Sequence, residues 1–412
     1  METSGAHRAP RRSSIAGSSP RGAALLAGLS SALFGAFAFT SCASPDPLGR
    51  PPGAVVNGSG GGDGGIDLGD GSGPPDLDAS GLCGNQLHSI ITDAPNLYFV
   101  IDASGSMSAP APGGGSTRYA AVRSAAVDLV RTLGPRINAG AAIFPFKATD
   151  LEPCRTGKQV FPVTPGDVFT GSDAASDGPT TLGFQASLKV SPHGGTPTAA
   201  TLAALHGTLA ALPGTTIVLL ATDGGPNCNE AASCSQAECI ASIEGLEGCD
   251  PAENCCSPQG PAGPSMCIDK PATLEAIEAL KAAGIHVYVI GIPGSEAYAG
   301  VLDAMAIAGG TAQFGSSKYF SVTDLADLNA VLGGIASVVI ACDFAIADAP
   351  PEPDLTNVYL DLKILPQGGP NGWVWVEDGT IVRLLGDACE RLKLGQVKQV
   401  QIVSGCPTEA AK

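Results

Sequence analysis

The amino-acid sequence predicts an α/β fold: a doubly wound, mostly parallel sheet with a cysteine-rich insert, followed by a small β-rich lobe. Three observations predict it. Leu97–Ile101 is a short continuous apolar run, and Ala139–Phe146, Thr216–Ala221 and His286–Ile292 are similar. Continuous apolarity suits strands buried on both faces of a parallel sheet. Helical patterns lie between these runs, which gives the strand–helix alternation of βαβ units. Seven of the 13 Cys fall between Cys228 and Cys267, in one stretch between two of the strands.

The chain has 412 residues, with 22 Lys+Arg against 39 Asp+Glu and a net charge of −17. At roughly 150 residues per domain, this length suggests two domains plus extensions. The acidic balance argues against a nucleic-acid partner, because phosphate binding needs clustered Lys and Arg. A hydrophobic content of 44% argues against wholesale disorder.

Residues 1–41 read as a secretory leader. Arg8, Arg11, Arg12 and Arg21 precede an apolar run from Ala23 to Phe39. A basic region, an apolar region and small residues before a cut site describe such a signal. The run falls a little short of the ~20 apolar residues of a membrane span, so a cleaved leader is expected over an uncleaved anchor. Phe39-Thr40-Ser41-Cys42 resembles the lipobox of bacterial lipoproteins. The resemblance implies that Cys42 is acylated, becomes the first residue and tethers the protein to a membrane of the cell envelope, the outer membrane being one option. Removing 1–41 would leave 18 basic and 38 acidic residues.

Residues 42–82 read as a tether. From residue 43 onward it holds 12 Gly, 6 Pro, 6 Asp and 4 Ser, too little apolar matter for a core. A flexible chain of that length spans roughly 35 Å end to end. The Asp/Gly stretch from Gly60 to Gly73 is one irregular copy of a calcium-repeat-like pattern, a weak signal against which a solvated linker is the favoured reading.

The folded part is expected from Cys83, with the α/β domain over 83–342. A helix from about Arg118 would carry Val122, Ala126, Leu129, Val130 and Leu133 on one face. Further helices are expected over Pro197–Leu212 and Thr273–Ala283. Ligands of doubly wound sheets sit beyond the carboxyl ends of strands. There the first strand runs into Asp102-Ala103-Ser104-Gly105-Ser106, and the strand at Thr216–Ala221 runs into Thr222-Asp223-Gly224. Between them, Gly194-Gly195-Thr196-Pro197-Thr198 opens a helix. Singly, each has a plain reading: turn serines, an N-cap Thr before Pro, an Asp-Gly turn.

Together, Asp102-x-Ser104-x-Ser106, then Thr196, then Asp223 resemble the metal-ion-dependent adhesion site of von Willebrand factor type A domains, over about residues 94–340. The words VIDASGSM, GGTPT and LLATDGGPN stand close to that family's wording. The resemblance implies a site for Mg²⁺, or Mn²⁺ or Ca²⁺, held by Asp102, Ser104, Ser106, Thr196 and Asp223. Its partner would be a protein or glycan that offers a carboxylate. The chemistry agrees: Mg²⁺ takes hard oxygen ligands at about 2.1 Å and keeps positions for water or ligand. Hydroxyls from Ser104, Ser106 and Thr196 with few charged ligands would leave the ion electrophilic. His193 beside the Gly-Gly-Thr loop reads as a solvated loop residue.

Setting Cys42 aside, 12 Cys remain, an even number that suits six disulfides in an oxidising compartment. The insert, 228–267, holds an odd number, so full pairing requires at least one bridge that leaves it. A zinc site is the rival, weakened by the lack of a C-x-x-C pair there. From 343 to 412 the character changes. Val358–Ile364, Trp373–Val376 and Val397–Val403 read as short strands, with a turn at Glu377-Asp378-Gly379. Trp373 and Trp375 share a strand face and suit a small core better than a ligand platform.

The expected function is therefore a cell-envelope lipoprotein that binds a partner through its metal site. The alternative is a structural or assembly protein of the envelope in which the metal only stabilises the fold. An enzyme is not expected, since no nucleophile–base pattern such as G-x-S-x-G appears.

Overall fold

The computed structural model describes residues 82–411, save 85, 89, 92–93, 113–114, 170–176, 251, 325–326 and 348. The expected leader, Cys42 and the tether up to residue 81 lie outside the described residues.

Two short strands, β1 (Gln86–Leu87) and β2 (Ile90–Ile91), precede β3 (Asn96–Asp102), the centre of the main sheet. After β3 come α1 (Arg118–Leu133), β4 (Asn138–Phe144), β5 (Lys158–Pro165), α2 (Pro179–Ser187), α3 (Thr198–Ala210) and β6 (Thr216–Thr222). The insert contributes α4 (Ile240–Glu244) and leads into α5 (Lys270–Ala282). Then follow β7 (His286–Gly291), α6 (Ala299–Ala308), β8 (Phe320–Ser321) and α7 (Leu328–Val339). The six strands lie in the order β5-β4-β3-β6-β7-β8, all parallel except β5. This is the doubly wound, mostly parallel sheet read from the apolar runs.

Alternation along β3 shows why its run had to be continuous. Leu97, Phe99 and Ile101 pack in one cluster with residues of α1, α2 and α7. Tyr98 and Val100 pack in the other with α3, α5 and α6. Both faces are covered, so every residue of β3 is buried. The five apolar residues assigned to the inner face of α1 are all buried. Thr117 caps α1 by accepting from the Ala120 N–H, and Gly134 ends it at φ +52. Edge strand β5 was not legible in the sequence. It is half-exposed along its length, and its short apolar stretch Val160–Val163 is interrupted by Pro162.

The C-terminal lobe consists of β9 (Asp343–Ile346), β10 (Thr356–Leu360), β11 (Lys363–Leu365), β12 (Trp373–Val376), β13 (Ile381–Leu384), α8 (Gly386–Lys393) and β14 (Val400–Ser404). Two antiparallel sheets, β1-β14-β10-β11 and β12-β13-β9-β2, enclose its core. Two differences from the sequence reading appear here. Val358–Ile364 is a hairpin rather than one strand, because Asp361 and Leu362 turn the chain with φ of +50 and +66. Residues 86–91, expected with the α/β domain, pair with the lobe: β1 with β14 and β2 with β9. The Cys83–Cys406 disulfide fastens that start to the chain's end. Trp373 is fully buried, stacks edge-on against Trp375 at 5.2 Å and donates its indole N–H to Leu365 O, so it is core.

The 12 Cys form six disulfides: Cys83–Cys406, Cys154–Cys228, Cys234–Cys267, Cys239–Cys256, Cys249–Cys255 and Cys342–Cys389. Cys154–Cys228 is the bridge out of the insert that the odd count required. Among the described residues, no helix is long and apolar enough to cross a membrane.

Candidate metal centre

The parallel register of β3 and β6 sets their carboxyl ends side by side, with Ile101 opposite Ala221. The chain leaves both strands into polar turns at that edge. The Asp102 carboxylate accepts from the Ser104 N–H at 2.7 Å and from the Thr222 hydroxyl at 2.6 Å. Ser104 Oγ and Ser106 Oγ stand 3.1 Å apart. Ser106 donates to one oxygen of Asp223 at 2.7 Å, and Arg118 pairs with the other at 2.7 Å. Four of the five residues named from the sequence thus form one hydrogen-bonded group.

Thr196 reaches the same place from the α3 side. A Cβ on Gly224 would lie 3.9 Å from both Ser106 Oγ and Thr196 Oγ1, so the two hydroxyls flank one small space beside a bare glycine. The loop before Thr196 is held to the Asp102 turn, since Gly105 N–H donates to Gly194 O at 2.9 Å. Thr196 N–H donates to Asn227 Oδ1 at 2.6 Å, and Asn227 N–H donates to Thr196 O at 2.9 Å. Gly195 N–H donates to Pro153 O, one residue from the Cys154–Cys228 disulfide. Gly195 has no room for a side chain, as a Cβ would stand 2.6 Å from Cys228 Sγ.

Asp102, Ser104, Thr196 and Asp223 are buried, while Ser106 is exposed. Asp223 is near enough to Asp102 for its charge to act on it, and Arg118 pairs with Asp223. Burial, and then the charge of Asp223, push the Asp102 carboxyl up to about 7. Two buried carboxylates facing one guanidinium leave the group short of positive charge. The donor set suits a hard divalent cation: three neutral hydroxyls with two carboxylates beside them. Adjacent oxygens on an octahedral ion at about 2.1 Å stand ~3.0 Å apart, close to the spacing of the two serine hydroxyls. The residues present therefore fit a Mg²⁺-type ion.

Three participants were missed in the sequence. Thr222, the residue before Asp223, orients Asp102. Arg118, the first residue of α1, supplies the counter-charge, and Asn227 fixes the Thr196 backbone. The word LLATDGGPN held two of them in plain view, but nothing local marked Arg118.

Ser104, Ser106, Thr196, Gly224 and Asn227 line one side of a cavity of 250 Å³. Its walls include Ile240, Glu244 and Met266 of the insert, with Tyr298 ahead of α6. Among the insert's six acids, Glu244 alone lines it. Elsewhere in the insert the sulfurs of Cys234, Cys256 and Cys267 cluster. All three are oxidised in disulfides, so they offer no thiolate for zinc. His193 pairs with Asp150 at 3.0 Å on the exposed side of its loop.

No protein-family model matches the sequence, and no curated protein matches it. Several solved structures are similar. The pilus adhesin SpaC from Lactobacillus rhamnosus GG, in its open conformation, aligns at 16% identity and a TM-score of 0.41, over 76% of this chain and 38% of that one. This chain therefore spans less than two fifths of that adhesin's length. The vWF domain of the type V pili tip protein Mfa5 from Porphyromonas gingivalis aligns at 15% identity and 0.39, over 60% and 96%. Manganese-loaded TRAP protein from Plasmodium vivax aligns at 14% and 0.34, over 59% and 74%.

Proposed function

We propose that this chain is an extracytoplasmic binding protein whose α/β domain holds a divalent cation and, through it, a partner's carboxylate. The observation that carries the proposal is that Ser104, Ser106 and Thr196 line one small space at the carboxyl edge of the sheet, with Asp102 and Asp223 hydrogen-bonded to the serine turn. Ser104, Ser106 and Thr196 would offer hydroxyls to Mg²⁺ (or Mn²⁺ or Ca²⁺), with Asp102 and Asp223 holding the hydroxyls and adjoining waters. A bound cation supplies an electrophilic centre for a carboxylate ligand. Arg118 orients Asp223, and Asn227 holds the Thr196 backbone. The proposal is of binding and not of catalysis. Ahead of the folded part, an acylated Cys42 and the Gly/Pro/Asp tether would hold the domain at a bacterial envelope membrane.

A second reading rests on the buried Asp102–Asp223 pair. A cation that neutralises two buried carboxylates would stabilise the fold with no partner, as in a structural or assembly protein of the envelope. Pull-down with and without EDTA separates the two. Loss of captured partners while the circular dichroism stays native supports binding. Loss of native structure on chelation supports the structural role.

A further inference from the structure

The cysteine-rich insert turns the metal-site edge of the sheet into a recess, and this has a consequence for what can enter. The cavity holds 250 Å³, below the ~300 Å³ at which pockets begin to enclose a whole drug-sized ligand. Its floor is polar, made by Ser104, Ser106 and Thr196. Its upper walls are largely apolar: Ile240 and Tyr298 are almost fully buried, and Met266 is partly so. Tyr298 donates its hydroxyl to the carboxylate of Glu244, an exposed residue of the lining, at 2.5 Å and so holds that acid beside the cavity.

The walls are fixed. Ile240 follows Cys239, which is bonded to Cys256, and Met266 precedes Cys267, which is bonded to Cys234. Cys239 and Cys267 are fully buried, and their backbones pair in an isolated antiparallel β-ladder contact. The root of the insert is tied down by Cys228 N–H to Ser265 O and by Asp269 N–H to Pro226 O. Met266 also touches the site's support, since Asn227 Nδ2 lies 3.7 Å from its sulfur. Tyr298 packs so closely on Gly225 that a Cβ there would stand 2.6 Å from its ring. A wall stapled in this way does not fold aside for a broad ligand.

Resting on the metal-site reading above, we infer that the recess selects a single carboxylate carried on a slender apolar stem, with Ile240, Met266 and Tyr298 as the stem's wall. Glu244 discriminates against a second negative charge. A glutamate-like side chain on an extended segment fits this description. A carboxylate flush with a flat protein surface does not, because the insert keeps that surface away from the floor. An acid beside the cavity raises the cost of a dianion by like-charge repulsion.

The test uses the full chain, disulfides intact, loaded with Mn²⁺ and followed by water-proton relaxation while acetate, butyrate, pivalate and succinate are titrated. Butyrate should bind about tenfold tighter than acetate, the effect of burying two methylenes. Pivalate, branched beside the carboxylate, should bind more weakly than butyrate. Met266→Ala should narrow the butyrate–acetate gap, and Glu244→Gln should raise succinate affinity more than butyrate affinity. If the wild-type chain binds Mn²⁺ but treats acetate, butyrate and pivalate alike, the recess inference is overturned and the metal site stands. If Mn²⁺ does not bind at all, the metal reading itself fails.

Discussion

Asn227 and Thr196, 31 residues apart, hold each other twice: the Asn227 carboxamide oxygen accepts the Thr196 N–H, and the Asn227 N–H donates to the Thr196 carbonyl. Both residues are buried, so neither bond has water as a ready substitute. The pairing fixes the one member of the candidate site that lies outside its hydrogen-bonded group of four.

Asn227→Ala should therefore loosen Thr196 and leave its N–H buried without a partner, at a cost of about 1–3 kcal/mol. Asn227→Asp keeps the acceptor and should recover most of that loss. Thermal melts of the two variants check the stability, and a calorimetric Mg²⁺ titration checks the site. A melt of Asn227→Ala identical to wild type would show that the bond carries no weight.

Asp102→Ala should do more than remove an anion. The Ser104 N–H and the Thr222 hydroxyl both use that carboxylate in a fully buried setting, so stability should fall along with Mg²⁺ affinity. Asp102→Asn keeps an acceptor in place and should lose Mg²⁺ affinity with a smaller change in melting temperature. Equal Mg²⁺ affinity in Asp102→Asn and wild type would remove Asp102 from the site.

Bound cation should stabilise the folded chain by mass action. At free Mg²⁺ one hundred times its Kd, the gain is about 2.7 kcal/mol, and EDTA should reverse it. Differential scanning calorimetry at several Mg²⁺ concentrations reads this directly. A melting temperature independent of Mg²⁺ in wild type, with Asp223→Asn melting in the same way, would contradict the assignment.

The Cys154–Cys228 bridge joins the loop after β4 to the root of the insert and closes 74 residues of sequence. The chain-entropy model gives about 4 kcal/mol for a loop of that length. A Cys154→Ser/Cys228→Ser double variant should lose stability of that order, and its Mg²⁺ affinity should drop because Gly195 and Thr196 lean on this junction. Thiol counting on the unreduced mature protein should find none of the 12 cysteines free, and more than two free thiols would break the six-bridge scheme.

Cys42→Ser should block acylation and leave the precursor uncut or released into the aqueous phase. Detergent partitioning with mass spectrometry of the N-terminus checks it. A lipid-modified N-terminus unchanged in the variant would refute the anchor.

The sequence by itself determined the buried strands β3, β4, β6 and β7, their alternation with helices and the order of the candidate site residues. Those features are local: Leu97–Ile101 must be apolar throughout because both its faces are covered, and Asp102, Ser104 and Ser106 lie within one turn. Parity of the cysteines likewise required a bridge out of the insert. Tertiary structure alone decided which cysteine answers Cys228, which cation faces Asp223, and that residues 86–91 complete the sheets of a lobe whose other strands begin at Asp343. It also decided that residues of the insert line the cavity at the carboxyl edge of the sheet, with Glu244 in its lining and the insert's other acids outside it. Periodicity reports how a residue sits relative to its near neighbours in the chain. Arg118 and Asp223, 105 residues apart, meet only because α1 starts at the edge where β6 ends, and no pattern along the chain encodes that meeting.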